Sequence, residues 1–158
     1  MARTHTKTVK ASEVEMTELV LPNDTNQLGN LLGGRLMHWI DIAAAIAASR
    51  HTGRVCVTAS VDELNFHYPV RQGEVVVLRA AVNRVYTTSL EVGVRVSAEN
   101  TLTGDRVHTN TAYLTFVAID ERGKPVPVPP VKPVTPEEQR RFQDAGRRRQ
   151  TRLRHRRR

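Results

Sequence analysis

Between Leu36 and Ser49 the chain reads LMHWIDIAAAIAAS, and no other stretch of its 158 residues limits the fold as strongly. It holds no Gly or Pro, and alanine, the best helix former, is abundant. Leu36, Ile40, Ala43 and Ala47 recur at i, i+4, i+7 and i+11, one face of a helix. Met37, Ala44, Ala45 and Ala48 make the neighbouring face apolar as well. Only His38, Asp41 and Ser49 are polar, so the pattern predicts a helix with almost no water-facing side, and such a helix is buried. It is too short and too interrupted to span a membrane. Gly33-Gly34 suits a close approach to its start, and Gly53 suits its stop.

Asp41 falls in the middle of that helix, with no Lys or Arg within one turn on either side. An unpaired buried carboxylate is costly. Either it bonds donors from another segment as a structural residue, or it is kept for chemistry. The residues alone leave both roles open.

A chain of this length is expected to form one domain with a real core. The lone Cys56 excludes an intramolecular disulfide and suits a reducing compartment, so a cytoplasmic location is expected. The first ten residues are polar and basic with no apolar run behind them, so no secretory leader is expected. There is no CxxC pair, no HExxH and no P-loop, and no metal is expected. The formal charge of +8 is concentrated in RRRQTRLRHRRR, residues 147–158, which holds eight arginines and no acid; without these, sixteen Lys and Arg face sixteen Asp and Glu. Such a block is expected to stay disordered and solvated. A polyanion could bind it, but no aromatics interleave the arginines as they do in a dedicated nucleic-acid surface.

TVKASEVEMTELV (8–20) alternates in part and predicts a first strand. LPNDTNQLGN (21–30) is rich in turn formers and predicts an irregular loop. After the helix, VCVTASVD (55–62) predicts a strand that FHYPVRQGE continues to a turn at Gln72-Gly73. Glu74 to Val85 opens on a continuous apolar run, as in a strand covered on both faces. From Leu90 to Ala98, Val92, Val94, Val96 and Ala98 alternate with Gly93, Arg95 and Ser97, a strand with one buried face. VYTTSLEV links these two strands as a hairpin. Thr103-Gly104-Asp105 turns into a long strand, Val107 to Ile119. The proline-rich segment 120–136 argues against regular structure. Thr135-Pro136-Glu137-Glu138 starts a C-terminal helix, with Thr as N-cap, Pro at the first position and acids in the first turn.

One strand, one buried helix and four long strands make an α+β chain: a long curved antiparallel sheet wrapped around one central helix, plus a short C-terminal helix. That is the hotdog layout. The segment DTNQLGNLLGGRLMHWIDIAAAIAA closely resembles the opening of the hotdog acyl-CoA thioesterases of the YciA and brain-type cytosolic acyl-CoA hydrolase group. VTASVDELNFHYPVRQGEVV and TAYLTFVAIDERGKPVPVP resemble that group's second and final strands. The resemblance spans about residues 10–132. A hotdog domain is therefore expected over 1–134, followed by a helix and an Arg-rich, disordered tail over 135–158.

The resemblance implies hydrolysis of acyl-CoA to free fatty acid and coenzyme A. Asp41 matches the group's catalytic carboxylate and Asn26 its second polar group, while Gly33 and Gly34 match the glycines whose backbone N–H groups receive the thioester carbonyl. A thioester needs an attacking oxygen and a stabilised oxyanion, and a helix start supplies donors and the positive dipole end. Asp41 would activate a water as general base, or attack the acyl carbon directly. No metal and no cofactor beyond the coenzyme of the substrate is implied. The hairpin that contacts the coenzyme carries a Gly-Arg-Ser-Ser-like stretch in the group. Here Thr88 and Ser89 keep two hydroxyls, while Tyr86 and Thr87 replace the Gly and Arg, with Arg84 as the compensating cation. Thr58 and Ser60 are expected on one face of their strand, toward the site. His38, His67 and His108 are expected to be structural. The resemblance further implies edge-to-edge homodimers, with the site between subunits and hexamers as a further assembly. The alternative is a non-catalytic hotdog regulator that binds acyl-CoA and touches nucleic acid through the Arg tail.

Overall fold

The computed structural model describes residues 5–157; residues 1–4 and Arg158, the end of the arginine run, lie outside the described residues. The elements are β1 (Lys7–Thr8), β2 (Val14–Leu19), α1 (Gly33–Thr52), β3 (Val55–Val61), β4 (Val75–Val85), β5 (Ser89–Glu99), β6 (Arg106–Ile119), β7 (Val131–Lys132) and α2 (Pro136–Arg156). Five strands form an antiparallel sheet in the order β2-β4-β5-β6-β3. The two strands that flank α1 in sequence thus become opposite edges of the sheet, and α1 crosses one face between them. This is the hotdog architecture.

Alternation along the strands explains why the helix sits there. Leu78, Ala80 and Val82 of β4, Leu90, Val92, Val94 and Val96 of β5, and Ala112, Leu114, Phe116 and Ala118 of β6 are buried on that face. They meet Leu36, Trp39, Ile40, Ala43, Ala44, Ala47 and Ala48 of α1. Side chains two apart share a face of a strand, so the period-2 pattern of the sheet and the alanine-rich helix specify one interface. Gly53 closes α1 in the left-handed region (φ 66°), and its N–H donates to Ser49 O at 2.8 Å. A residue with a Cβ is strained there.

Several expectations are corrected. The first strand is split: Val9–Ser12 is a 3-10 turn, and β1 pairs in parallel with β7. That small pair also puts regular structure, two residues long, into the proline-rich segment. Residues 62–74 do not prolong β3 but form a loop, because Asn30 and Leu31 bond to Arg71 and Val70 there. The helix α1 does have a water-facing side in a single chain, with Ile42 and Ile46 exposed at 37% and 38%. The sheet curls around only part of its circumference.

The largest correction concerns the tail. Thr135 caps α2 as expected, its side chain accepting from Glu138 N. The helix then runs unbroken to Arg156 against the outer face of the sheet, where a detached tail was expected. Glu91, on the outer face of β5, is 1% exposed. Arg148 meets it with both ends of its fork, Nε to Oε1 at 2.8 Å and Nη2 to Oε2 at 2.9 Å. Asn83, the extra residue of a bulge in β4, donates its Nδ2 to Glu91 Oε2 at 3.0 Å. Arg152 binds both oxygens of Asp62 at 3.0 Å. A run of like charge is expected to solvate itself only while its counter-charges are unseen. Here they lie 57 and 90 residues away. No helix among the described residues is long and apolar enough to cross a membrane.

Candidate active site

Asp41 projects from the middle of α1 at the side next to β3. It is half-buried, and the hydroxyl of Thr58 donates to its Oδ1 at 2.7 Å. The strand register explains this contact. Thr58 pairs with Phe116, whose side chain faces the core, so Thr58 faces the helix. The ladder then slips by one residue at Ala59, and Ser60 pairs with Thr115 on the opposite face. A bulge of this kind re-aims the residues beyond it. Thr58 and Ser60 therefore do not share a face, and only Thr58 joins the site.

The start of α1 is held by the loop before it. Asp24, buried, accepts from Leu21 N at 2.9 Å through Oδ2 and pairs with Arg35 Nε at 3.2 Å through Oδ1. Its backbone carbonyl accepts from Leu32 N, at the N-cap of α1. Asp24 thus ties the 21–31 loop to the helix, a role that no local signal in LPNDTNQLGN reveals, because its partner Arg35 lies eleven residues away. Gly33 and Gly34 occupy the first two helical positions, whose N–H groups have no acceptor within a helix. The Phe66 ring lies over Gly33, 3.6 Å from where a Cβ would sit.

Asn26 serves its own loop. Its Oδ1 accepts from Leu28 N at 2.9 Å and from Asn30 N at 3.1 Å. With the oxygen committed, the amide nitrogen is the group it can offer to a ligand, as a donor. The chain does not bring the whole set together. Asp41 lies seven residues beyond Gly34, about 10 Å along the helix axis.

Arg84 is engaged by α2. Its Nη1 donates to Phe142 O of α2 at 3.2 Å, and its guanidinium stacks on the Phe142 ring at 4.1 Å. Thr88 and Ser89 lie at the β4–β5 hairpin, partly exposed. His67 is exposed in a loop, and the His108 ring bonds to Asn110 O and Thr111 Oγ1. Cys56, on β3, lies at the C-terminal end of α1, its Sγ 3.3 Å from Thr52 Oγ1, and burial pushes its thiol pKa up against a smaller opposing pull from that hydroxyl. It is a poor nucleophile at neutral pH.

Residues 28–104 match the thioesterase superfamily. The chain is 47% identical over 138 residues to an uncharacterized acyl-CoA thioester hydrolase, YkhA, of Bacillus subtilis, which covers 87% of this chain and 80% of that one. It is 42% identical over 142 residues to acyl-coenzyme A thioesterase 11 of Mus musculus, spanning 90% of this chain but only 24% of that longer protein. Among solved structures it superimposes on an apo-hexameric acyl-CoA thioesterase with a TM-score of 0.92, at 42% identity, covering 96% of this chain and 97% of that one. It also superimposes on an acyl-CoA hydrolase of Staphylococcus aureus in complex with butyryl coenzyme A, coenzyme A and coenzyme A disulfide, with a TM-score of 0.90, at 35% identity and 96% and 92% coverage. That hydrolase has also been solved with an asparagine, an aspartate or a threonine changed to alanine, at positions 15 and 17 residues apart in that order.

Proposed function

The chain belongs to the acyl-CoA thioester hydrolases of the thioesterase superfamily, and from that membership we propose how it cleaves acyl-CoA to a free fatty acid and coenzyme A. Asp41 supplies the attacking oxygen, either by drawing a proton from a water or by attacking the acyl carbon itself. Thr58 holds Oδ1 of Asp41 and leaves Oδ2 directed to the reacting atoms. The N–H groups of Gly33 and Gly34 receive the oxyanion at the positive end of the α1 dipole. Asn26 donates its amide N–H to the carbonyl oxygen. The thiolate of coenzyme A leaves, so the coenzyme enters as substrate and departs as product, and the scheme calls for no further cofactor and no metal.

The hydrogen bond from Thr58 to Asp41 carries this reading. A mid-helix carboxylate held by a single hydroxyl from an edge strand is oriented without being neutralised. The order and spacing of Asn26, Asp41 and Thr58 also support it, since they equal those of the three residues altered in the Staphylococcus aureus enzyme.

The site is completed by a second copy of the chain. A base or nucleophile and its oxyanion donors must lie within about 3 Å of one reacting atom, and Asp41 is too far along the helix from Gly34 of its own chain for that. Edge strand β3 offers a pairing surface, with Val55 66% exposed beside unpaired backbone. Edge pairing through β3 gives the homodimer, and the hexameric relative supports further assembly. The cytoplasm, where a lone thiol such as Cys56 stays reduced, is the expected compartment. The nucleic-acid-binding alternative loses ground because Arg148 and Arg152 of the tail are consumed inside the fold.

The test is free-thiol release across a chain-length series of acyl-CoA, run on the intact chain and on Asp41→Asn. Release by the first and near-absence in the second is the expected result. Equal turnover by a folded Asp41→Asn protein would overturn the mechanism. Single-turnover reaction in heavy-oxygen water tests the direct route: label in Asp41 shows an anhydride opened by water at the Asp41 carbonyl, whereas general-base hydrolysis puts the label only in the fatty acid.

A further inference from the structure

One polar residue breaks the apolar face of β6. Ala112, Leu114, Phe116 and Ala118 alternate toward α1, and the next position of that row, paired with the buried Val96, is Asn110, itself buried. An amide there is costly unless its hydrogen bonds are made. Its Nδ2 donates to Asn65 O, in the loop that leaves β3. That loop is fixed at its ends, where Asp62 N donates to Tyr113 O at 3.0 Å and Val70 O accepts from Leu31 N at 2.7 Å. Between them, Asn65 O is the one backbone group of residues 63–69 that bonds to another segment among the described residues. On one side of this bond Leu64 packs against the core. On the other, Phe66 carries its ring to the first turn of α1.

Three ring carbons of Phe66 lie 3.6, 3.8 and 3.9 Å from where a Cβ of Gly33 would stand. A Cβ leans toward the N-terminal end of its helix, the end toward which the unpaired first N–H groups also point. The ring therefore borders the space in which the N–H groups of Gly33 and Gly34 would receive an oxyanion. Phe66 is still 50% exposed, so the ring has apolar area left to offer a ligand. A carbonyl oxygen held about 3 Å from the Gly33 nitrogen brings the acyl carbon beside that carbonyl within contact distance of the ring. A straight chain lays a methylene along it. A chain branched at that carbon adds a methyl group where the ring stands.

We propose that Phe66 is a specificity-determining residue, a wall at the oxyanion end of α1 that rejects acyl groups branched beside the carbonyl, and that Asn110 is the positioning residue that holds the wall in place. This rests on the acyl-CoA hydrolase reading above. It also accounts for an amide on the apolar face of β6, where packing alone calls for a hydrophobic side chain.

The experiment measures kcat/KM for butyryl-CoA and isobutyryl-CoA, which differ in the branch at that carbon, on the full-length chain, on Phe66→Ala and on Asn110→Ala. The ratio of the two values does not depend on how much of a sample is folded, so a merely structural defect leaves it unmoved. The wild-type chain should prefer butyryl-CoA, and Phe66→Ala should lower that preference about tenfold, as expected for one methyl group in an apolar site. Asn110→Ala frees the loop and should lower it by a smaller factor. Phe66→Tyr keeps the ring and should keep the wild-type preference. No preference in the wild type, or an unchanged one in Phe66→Ala, would overturn the role of the ring; an unchanged one in Asn110→Ala would overturn that of the clamp. Should the wild-type chain cleave neither thioester, the hydrolase reading fails separately. Titration with the non-hydrolysable thioethers S-butyl-CoA and S-isobutyl-CoA then decides: a preference in Kd that Phe66→Ala weakens supports the wall, and an equal preference refutes it.

Discussion

Thr58 donates one hydrogen bond to Asp41, and two substitutions separate what each contributes. In Asp41→Asn the amide oxygen can still accept from Thr58, so the fold is kept while the attacking oxygen is lost. Turnover should fall by roughly 10²-fold or more, the range for removing a general base or nucleophile. Thr58→Val keeps the shape and deletes the donor. The carboxylate then samples other rotamers, and kcat should fall about tenfold with stability changed by only about 1 kcal/mol. Steady-state kinetics and urea denaturation on the same samples check both. A Thr58→Val enzyme with wild-type kcat would show that Asp41 is oriented by something else. Asn26 is harder to isolate, because its oxygen also closes the loop over Leu28 and Asn30. Asn26→Asp keeps the acceptor for Leu28 N and Asn30 N and replaces the donor with a charged oxygen, so it tests the donor role together with an added charge while the loop stays closed.

The helix α2 behaves as part of the domain. Arg148→Ala would leave the Glu91 carboxylate under the helix with the Asn83 amide and, at 3.8 Å, Arg152 as its remaining partners. Breaking a buried pair from one side costs about 3 kcal/mol or more, readable as a lower urea midpoint. Gly93 has its own part in this clamp, since a Cβ there would stand 2.7 Å from the Asn83 amide nitrogen. Gly93→Ala should push Asn83 off Glu91 and lower stability by about 1–2 kcal/mol. A detached tail would leave the melting temperature unchanged when the chain is cut after Gly146. With α2 docked, that truncation should lower it by several degrees, and an unchanged Tm would show that the clamp contributes nothing in solution.

For the whole molecule, a site shared between two copies predicts complementation. In a heterodimer of Asn26→Ala and Asp41→Asn subunits, both lesions fall in one site and the other is intact. Co-refolded mixtures should recover about a quarter of wild-type activity under random mixing of independent sites. No recovery, with heterodimers confirmed by mass spectrometry, would place both residues in one subunit. Stability also has a pH signature. His51 is fully buried at the end of α1, its Nε2–H donates to Pro129 O at 2.7 Å, and its Nδ1 has no partner. Burial, helped by Lys7 and opposed by the Pro129 bond, holds its pKa below the ordinary 6.5. As pH falls through 6.5 the unfolded chain takes up a proton that the folded chain refuses, so stability is lost toward acid. Unfolding free energies between pH 7 and 5 should fall less steeply for His51→Phe than for the wild type.

The helix around Asp41, its glycine stop, the Thr135-Pro136 start of α2 and the alternation of β5 were legible in the sequence because each depends on local propensity, capping or period. The resemblance of the opening motif added the hotdog fold and a candidate site to test. What the sequence could not supply depends on register and on distant partners. A one-residue slip at Ala59 decides that Thr58 meets Asp41 while Ser60 turns to the other face. The Arg run reads as a solvated block until Glu91 and Asp62 are brought beneath it. Arg84 reads as a ligand contact until α2 folds across it. Charges separated by tens of residues have no period to read; only the folded sheet sets which of them meet.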